Sequence, residues 1–231
     1  MARTSSSTKL FLEGARRQFS QTGAIAPSSR FLARAITWAI DPRGEPKTVM
    51  EAGAGTGALT VEIIRRLPAG SRLDIYEVNP VFAQHLERTF CGNGGGVAVT
   101  VNNLRVQELP DGSRYDLIIS GLPFNNFEPP VVKEILSRLM EALEPAGVLS
   151  YFEYLLIRQM KSLAVMGDER RRLRRVARVA SRFLDKHEFR RDTVLLNIPP
   201  AVVHHLRRAG RVPPRAGTGR PGRSAGPRRS R

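Results

Sequence analysis

The sequence predicts an α/β fold in which helices cover a parallel β-sheet. A short apolar run at 48–52 leads into a glycine-rich turn and then into the apolar spacing of a helix. The same order then repeats, because helix-like segments separate four further apolar runs, at 73–76, 97–101, 115–120 and 147–154. Strands and helices that alternate at this spacing form parallel sheets with right-handed crossovers.

The glycine-rich turn follows a carboxylate, Glu51, and has glycines at positions 53, 55 and 57. Glycine allows backbone angles that larger residues avoid, and it lets a ligand approach the main chain closely. A phosphate-binding loop would place Gly-Lys-Ser/Thr at the start of the helix, whereas this chain has Gly57-Ala58. An acid ahead of the glycines instead suits an ammonium group, such as the methionine end of S-adenosylmethionine.

A second acid, Glu77, ends the next apolar run twenty residues after Gly57. An acid at this spacing accepts hydrogen bonds from ribose hydroxyls. The glycines alone are also typical of a flexible segment that leads into the cap of a helix. Together with the two acids they favour a nucleoside cofactor, either a dinucleotide or S-adenosylmethionine.

Composition limits the class of protein. The 231 residues are 41% apolar, which suits one domain with a sizeable core. Nine arginines at 207–231 carry more than half of the net charge of +16, and we expect this low-complexity tail to be disordered. The single cysteine, Cys91, excludes an internal disulfide framework and predicts a reducing compartment. We see no secretory signal and no run of the ~18 apolar residues that a spanning helix needs.

Residues 1–40 predict a helical arm ahead of a domain at 41–206. The first helix of the arm is basic and amphipathic, with Phe11 and Phe19 on its apolar side. Such a helix suits an anionic bilayer, but packing on the body of the protein explains the pattern equally well. The second helix, expected at 30–40, is structural.

Ser28 or Ser29 is the expected N-cap of this second helix. Its predicted buried residues are Phe31, Leu32, Ala35, Ile36 and Ala39.

A further basic amphipathic helix is predicted at 170–184, where seven arginines surround one apolar face. It would attract anionic lipid headgroups or nucleic-acid phosphates, or it forms a solvated outer face. Polar and apolar residues then alternate at 190–198, which predicts a last strand that Pro199-Pro200 interrupts.

Ligands of parallel α/β sheets bind at the carboxyl ends of the strands. Five polar residues fall at that edge of the predicted sheet: Glu51, Glu77, Asn103, Ser120 and Tyr154. Side chains alternate along a strand, so Tyr151 and Tyr154 should lie on opposite faces of the sheet.

Four stretches resemble the bacterial phospholipid N-methyltransferases, which convert phosphatidylethanolamine toward phosphatidylcholine with S-adenosylmethionine. These stretches are TGAIAPSS at 22–29, MEAGAGTG at 50–57, SGLPFNNF at 120–127 and NIPPA at 197–201. The glycine loop is generic to class I methyltransferases, and the other three are more particular. The resemblance covers about residues 10–206. It implies a seven-stranded, mainly parallel, Rossmann-like sheet with helices on both faces and its last two strands within 183–206.

The resemblance also implies the site residues and no metal. Its cofactor-binding residues would be Glu51, Gly53, Gly55, Gly57, Glu77, Asn103, Ser120 and Gly23. Aromatic faces are natural partners for a methylated, cationic nitrogen, and we favour Tyr154 for this contact. The catalytic candidates are Tyr154, Phe124, Asn125 and Phe19, and core packing is the alternative role for each aromatic ring. The proton acceptor stays open among a carboxylate, a phenol and the lipid's own phosphate.

Two departures from the family pattern affect this site. Asn102-Asn103 stands where many such enzymes have Gly-Asp, so we expect weaker contact with the adenine amine, through the Asn103 carbonyl oxygen. The last strand has Val203-His204-His205 where the family often has a tryptophan. We expect this difference to alter the end of the site that faces the lipid.

The loop at 120–127 separates two classes of enzyme. Methyltransferases of adenine and cytosine amino groups have Asn or Asp where this chain has Gly121, and this residue accepts hydrogen bonds from the target amine. An aliphatic amine is nucleophilic once deprotonated and needs no such acceptor. The sequence therefore predicts N-methylation of phosphatidylethanolamine by a peripheral enzyme on the cytoplasmic face of the cell membrane. The alternatives are an RNA methyltransferase similar to the ribosomal RNA adenine dimethylases and a non-catalytic module that binds nucleic acid or membranes.

Overall fold

A computed structural model describes residues 27–92, 95–155 and 167–208. The first arm helix, the candidates Phe19 and Gly23, and the tail from residue 209 onward lie outside the described residues. Arg207, which the sequence analysis assigns to the tail, is the last residue of the last strand.

Seven strands form one sheet. The strands are β1 Thr48–Ala52, β2 Arg72–Tyr76, β3 Ala98–Asn102, β4 Tyr115–Ser120, β5 Leu143–Tyr154, β6 Glu188–Val194 and β7 Ala201–Arg207. Their order across the sheet is β3-β2-β1-β4-β5-β7-β6. Every pairing is parallel except those of β7, which runs antiparallel to β5 and to β6. The predicted seven-stranded, mainly parallel sheet is confirmed.

Helices cover both faces of this sheet, as predicted. The described helices are α1 Pro27–Ile36, α2 Ala58–Arg66, α3 Pro80–Phe90, α4 Pro129–Glu141 and α5 Asp168–His187, with short 3-10 turns at Val106–Glu108 and Phe124–Asn126. Residues of α4 and α5 pack into the core on one face, and residues of α1, α2 and α3 into the core on the other. Tyr151 belongs to the first core and Tyr154 packs against the second, so these side chains lie on opposite faces as expected.

The start of α3 follows from its sequence. The side chain of Asn79 accepts hydrogen bonds from the backbone N–H groups of Val81, at 2.9 Å, and Phe82, at 3.4 Å. Pro80 occupies the first turn, where a missing N–H costs nothing. This cap fixes the chain direction directly after Glu77, at the edge of the sheet that carries the candidate site.

Helix α1 differs from its prediction. It begins at Pro27, a residue suited to the first helical position, so Ser28 and Ser29 lie inside the helix rather than at its cap. Leu32 and Ile36 are buried as expected, but Phe31 is 48% exposed. The prediction for Phe31 was wrong because α1 packs on the sheet mainly at β6 and β7 with Leu32, Ala33 and Ile36 inward, and Phe31 lies to the side of these buried residues.

The last two strands extend only one residue beyond the range 183–206 that the resemblance implies for them. The run predicted from the sequence pattern at 190–198 was too long at its end. Strand β6 ends at Val194, and β7 begins directly after Pro199-Pro200. Two buried histidines of β7 then pair with acids of β6. His204 Nδ1 lies 2.7 Å from Glu188 Oε1, and His205 Nε2 lies 3.1 Å from Asp192 Oδ2.

His205 connects three strands. Its Nδ1 lies 2.8 Å from the buried Ser150 Oγ on β5, and the Trp38 ring packs on it at a centroid distance of 5.5 Å. Desolvation lowers the pKa of His205, although Asp192 opposes this shift. The histidine therefore serves mainly as a neutral link between β5, β7 and β6.

Replacing this link should destabilise the fold. We expect His205→Ala to lower the free energy of unfolding by about 2–4 kcal/mol, because it leaves a cavity and removes the histidine partners of Ser150 and Asp192. Urea denaturation at pH 7.5 measures the change. The matched control is His85→Ala on the exposed face of α3, which should change the value by less than about 0.5 kcal/mol. Equal values for the two variants would contradict this role of His205.

Candidate cofactor and active site

The glycine turn after β1 leaves one open backbone position. Gly53, Gly55 and Gly57 have φ angles of 75°, 57° and 88°, which disfavour side chains. A Cβ on Gly53 would lie 2.7 Å from Leu122 Cδ2, and one on Gly57 would lie 2.8 Å from Phe90 Cε2. A Cβ on Gly55 would meet nothing within 4 Å. The outer two glycines thus allow close packing, while Gly55 presents its backbone to open space.

Glu77 connects this turn with the start of α3. Its Oε2 accepts a hydrogen bond from the Gly55 N–H, and its Oε1 accepts one from the Asn79 N–H, both at 2.8 Å. A carboxylate has about four acceptor positions, so capacity remains for ribose hydroxyls. Asn103 Nδ2 donates to the Glu77 carbonyl oxygen at 2.8 Å. The Asn103 amide is thereby oriented, and its oxygen accepts no bond from the described residues.

Glu51 is fully buried beneath the turn. Thr60 Oγ1 donates to Glu51 Oε2 at 2.6 Å, whereas Oε1 has no hydrogen-bond partner among the described residues. Desolvation raises the pKa of Glu51 to about 7, the Thr60 hydrogen bond opposes this rise, and the Glu77 charge adds to it. Buried acceptors are nearly always paired, so the orphaned oxygen marks a place where a ligand donor fits.

The strand register brings the candidate residues to one edge. Ala52 of β1 is level with Tyr76 of β2 and with Ser120 of β4, and Tyr76 is level with Asn102 of β3. The first residues past these strands therefore meet. They are Gly53, Glu77, Asn103 and Gly121. Ser120 is buried, and its Oγ accepts a hydrogen bond from the Leu122 N–H at 3.3 Å, so its visible role is to shape the loop.

Gly121 packs directly on the glycine turn. A Cβ at this position would lie 2.7 Å from the Gly53 carbonyl oxygen, which is a backbone atom and cannot swing aside. The Gly121 N–H donates to the Ala52 carbonyl oxygen at 2.9 Å. A side chain at position 121 would therefore force the backbone of the glycine turn to shift.

The aromatic candidates have different surroundings. Phe124 is buried and packs edge-on against Tyr151 at a centroid distance of 5.1 Å, so core packing describes its position. Tyr154 is half-buried at the end of β5, and its ring meets Phe152 at 5.2 Å. Desolvation raises the pKa of Tyr154, so its phenol keeps its proton at neutral pH.

Asn125 lies in a loop that Arg172 of α5 holds in place. Arg172 Nη2 donates to the Asn125 carbonyl oxygen at 3.0 Å, and Nη1 donates to the Phe127 carbonyl oxygen at 2.7 Å. From the sequence, Arg172 was predicted only as one of the surface arginines at 170–184, so this role was not predicted. A signal was present, since Arg172 precedes the buried Val176 by four residues and so lies on the inward stripe of the helix.

Residues 50–149 match the family model described as a methyltransferase domain. The match contains the glycine turn, Glu77, Asn103 and the loop at Gly121. The chain carries a class I methyltransferase domain. Its cofactor is S-adenosylmethionine. The unpaired Glu51 oxygen fits the ammonium group of this cofactor. The open backbone at Gly55 allows the cofactor to approach closely, and the remaining acceptor positions of Glu77 fit its ribose hydroxyls.

The relatives of this methyltransferase domain include a lipid-modifying enzyme. The chain is 28% identical to the ornithine lipid N-methyltransferase of Singulisphaera acidiphila over 131 residues, which are 55% of this chain and 67% of that protein.

Two solved structures show the same fold. The N-methyltransferase NodS from Bradyrhizobium japonicum, in complex with S-adenosyl-L-homocysteine, has a TM-score of 0.58 and 15% identity, over 79% of this chain and 88% of that one. The 1,6-didemethyltoxoflavin-N1-methyltransferase of Burkholderia thailandensis has a TM-score of 0.56 and 16% identity, over 90% and 91% of the two chains.

The described residues contain neither a membrane-spanning helix nor a cluster of metal ligands. Within 27–92, 95–155 and 167–208, none of the helices has the length and apolar character needed to cross a membrane. Over the same ranges, no cluster of three or more His, Cys, Asp or Glu residues could hold a metal ion.

Glu51 should make the stability of the apoprotein depend on pH. Its folded pKa of about 7 lies above the ordinary 4.5, so its contribution is fully present below pH 4.5 and is lost as the pH rises through 7. Glu51→Gln removes this loss. We expect the variant to gain about 3 kcal/mol of unfolding free energy relative to wild type between pH 4.5 and 8, measured by denaturant titration at each pH.

The same substitution should weaken the binding of S-adenosylhomocysteine, because the ammonium group loses its charged partner. Isothermal titration measures that loss. Glu87→Gln, on the exposed face of α3, is the matched control and should change neither property. Parallel pH profiles for wild type and Glu51→Gln would contradict the assignment.

Proposed function

We propose that this methyltransferase transfers the methyl group of S-adenosylmethionine to the primary amine of a membrane phospholipid, with phosphatidylethanolamine as the substrate. The observation that carries the proposal is Gly121. As a glycine it supplies no side-chain acceptor of the kind with which nucleobase amino methyltransferases hold a planar amine, and an added Cβ would lie 2.7 Å from the Gly53 carbonyl oxygen. An aliphatic amine needs no such acceptor. The similarity to an ornithine lipid N-methyltransferase supports a lipid amine as the substrate class.

The chain would hold the cofactor through residues at the carboxyl edge of the sheet. When bound, the cofactor supplies an electrophilic methyl group for in-line displacement by the amine. Glu51 would hold its ammonium group and Glu77 its ribose, while the Asn103 amide oxygen would accept from the adenine amine. These groups are fixed by hydrogen bonds before any ligand arrives, and such positioning is the main source of acceleration in a displacement reaction.

The amine must lose a proton before it attacks. Because the raised pKa of Tyr154 keeps its hydroxyl protonated, the phenolate is disfavoured as the proton acceptor. The Tyr154 ring remains suited to a cationic nitrogen, which binds to aromatic faces. The proposal therefore assigns the proton to a carboxylate or to the lipid's own phosphate, directly or through water.

The proposal places the enzyme at the inner face of the cell membrane. The basic segment at 9–19 and the arginines of α5 would attract anionic headgroups, each basic residue near the surface contributing about 1 kcal/mol. Nucleic acid is the competing partner for the same charge, and the assay below includes it.

The decisive experiment is incubation with labelled S-adenosylmethionine and phosphatidylethanolamine vesicles, followed by separation of the lipids. We expect label in the methylated lipid. Gly53→Ala should abolish the transfer, because the new Cβ would lie 2.7 Å from Leu122 and the φ angle of 75° disfavours a side chain. Gly112→Ala is the matched control, since it has a φ of 82° but nothing within 4 Å.

Parallel incubations with ornithine lipid and with RNA define the other outcomes. Label in ornithine lipid alone would overturn the choice of phosphatidylethanolamine but retain a lipid amine. Transfer to RNA alone would establish the competing enzyme class. A wild-type chain that does not bind S-adenosylhomocysteine in isothermal titration would indicate a non-catalytic module.

A further inference from the structure

The loop between β6 and β7 exposes three large aliphatic side chains that the catalytic site does not explain. Leu195, Leu196 and Ile198 are 70%, 67% and 86% exposed. Single exposed apolar residues are ordinary, but a contiguous group marks an interaction site.

Hydrogen bonds hold this loop in shape. Asn197 is buried, and its Nδ2 donates to the Pro199 carbonyl oxygen at 2.7 Å. The Pro200 carbonyl oxygen accepts a hydrogen bond from the Leu155 N–H at 2.9 Å. The polar residue thus points inward while its apolar neighbours on both sides point to solvent.

The loop lies at the same edge of the sheet as the glycine turn. Because β6 and β5 each run antiparallel to β7, they share one direction, so the residues after β6 are at the carboxyl edge. Ala201, which follows the loop, pairs with Tyr154. Strand β6 lies four positions from β1 in the sheet, about 19 Å away at the usual spacing. The three side chains therefore lie beyond the cofactor site, next to the end of β5.

Exposed arginines lie near the same edge. Helix α5 leads directly into β6, and its Arg172 contacts the loop after β4, so the first turns of α5 are at the carboxyl edge. Arg171, Arg174 and Arg175 are exposed, and none forms an ion pair with a residue that the structure describes. They line an open surface groove of about 210 Å³ together with Arg178.

We propose that the β6–β7 loop inserts Leu195, Leu196 and Ile198 into an anionic phospholipid bilayer, while the α5 arginines contact its headgroups. A bilayer offers both apolar chains and negative charge. RNA offers phosphates but stacks on aromatic rings rather than aliphatic side chains, and a second copy of a chain with a net charge of +16 would repel the first. The choice of a bilayer rests in part on the proposed function.

Sedimentation of the full chain with phosphatidylcholine–phosphatidylglycerol vesicles tests this docking without any methylatable amine. We expect the triple change Leu195→Ser, Leu196→Ser and Ile198→Ser to lower the partition coefficient at least about tenfold at high salt, where headgroup attraction is screened. Arg171→Gln with Arg174→Gln and Arg175→Gln should instead weaken binding mainly at low salt. Val61→Ser, an exposed apolar residue of α2, is the matched control.

A second readout reports insertion itself. In a Trp38→Phe background, Leu196→Trp should be quenched by lipids with brominated acyl chains, and Val61→Trp should not. Equal quenching at both positions, or unchanged sedimentation of the triple variant, would overturn the proposal. A concentration-dependent dimer that the triple variant abolishes would also overturn it and assign the loop to self-association.

Different results would overturn the docking proposal and the catalytic proposal. Unchanged S-adenosylhomocysteine binding by the triple variant shows that its fold and cofactor site are intact. Lack of methylation of detergent-dispersed phosphatidylethanolamine by the wild type would overturn the proposed reaction, whereas the vesicle results would still decide the docking.

Discussion

The site depends on the close approach of two backbones. The turn after β1 and the loop after β4 meet at Gly53 and Gly121, where a single added carbon atom would lie 2.7 Å from a main-chain oxygen. The contact follows from parallel pairing, since Ala52 and Ser120 are level in the sheet and the chain must leave both strands at the same height. In this chain the position after β4 carries no side chain, so polar side-chain contacts to a substrate would come from elsewhere along the edge.

Much of the fold was predictable from the sequence because its signals are local. Alternating apolar runs, the Asn79-Pro80 start and the glycine turn each fix a short segment, and parallel pairing then brings Glu77 and Asn103 beside the turn. The errors have a different origin. The exposure of Phe31 and the bonding partners of Arg172 depend on which distant element packs against each helix. The spacing of Arg172 from Val176 indicates its inward position, but no local pattern names the loop that it bonds. The pairing of His204 and His205 with acids of β6 was equally inaccessible, because it depends on the register across a turn.

The arginines of helix α5 have two different roles, which the amino-acid composition of the helix does not distinguish. One arginine on its inner stripe holds the main chain of the loop at 124–127, while other arginines on its outer side have no acidic partner among the described residues. The first role fixes the loop after Gly121, and the second leaves positive charge at the same edge. A change in this helix therefore has to be interpreted residue by residue, since loss of charge and loss of loop geometry would have different effects on activity.

The buried Glu51 links the binding of a cationic ligand to the release of a proton. Its pKa of about 7 means that a large fraction of the carboxyl groups are neutral near physiological pH. An ammonium group held by Glu51, as proposed above, would favour the ionised carboxylate, so a proton would leave for solvent on binding. Occupancy of the turn is thus linked to hydrogen-ion release, and the apparent heat of association will vary with the ionisation enthalpy of the surrounding buffer.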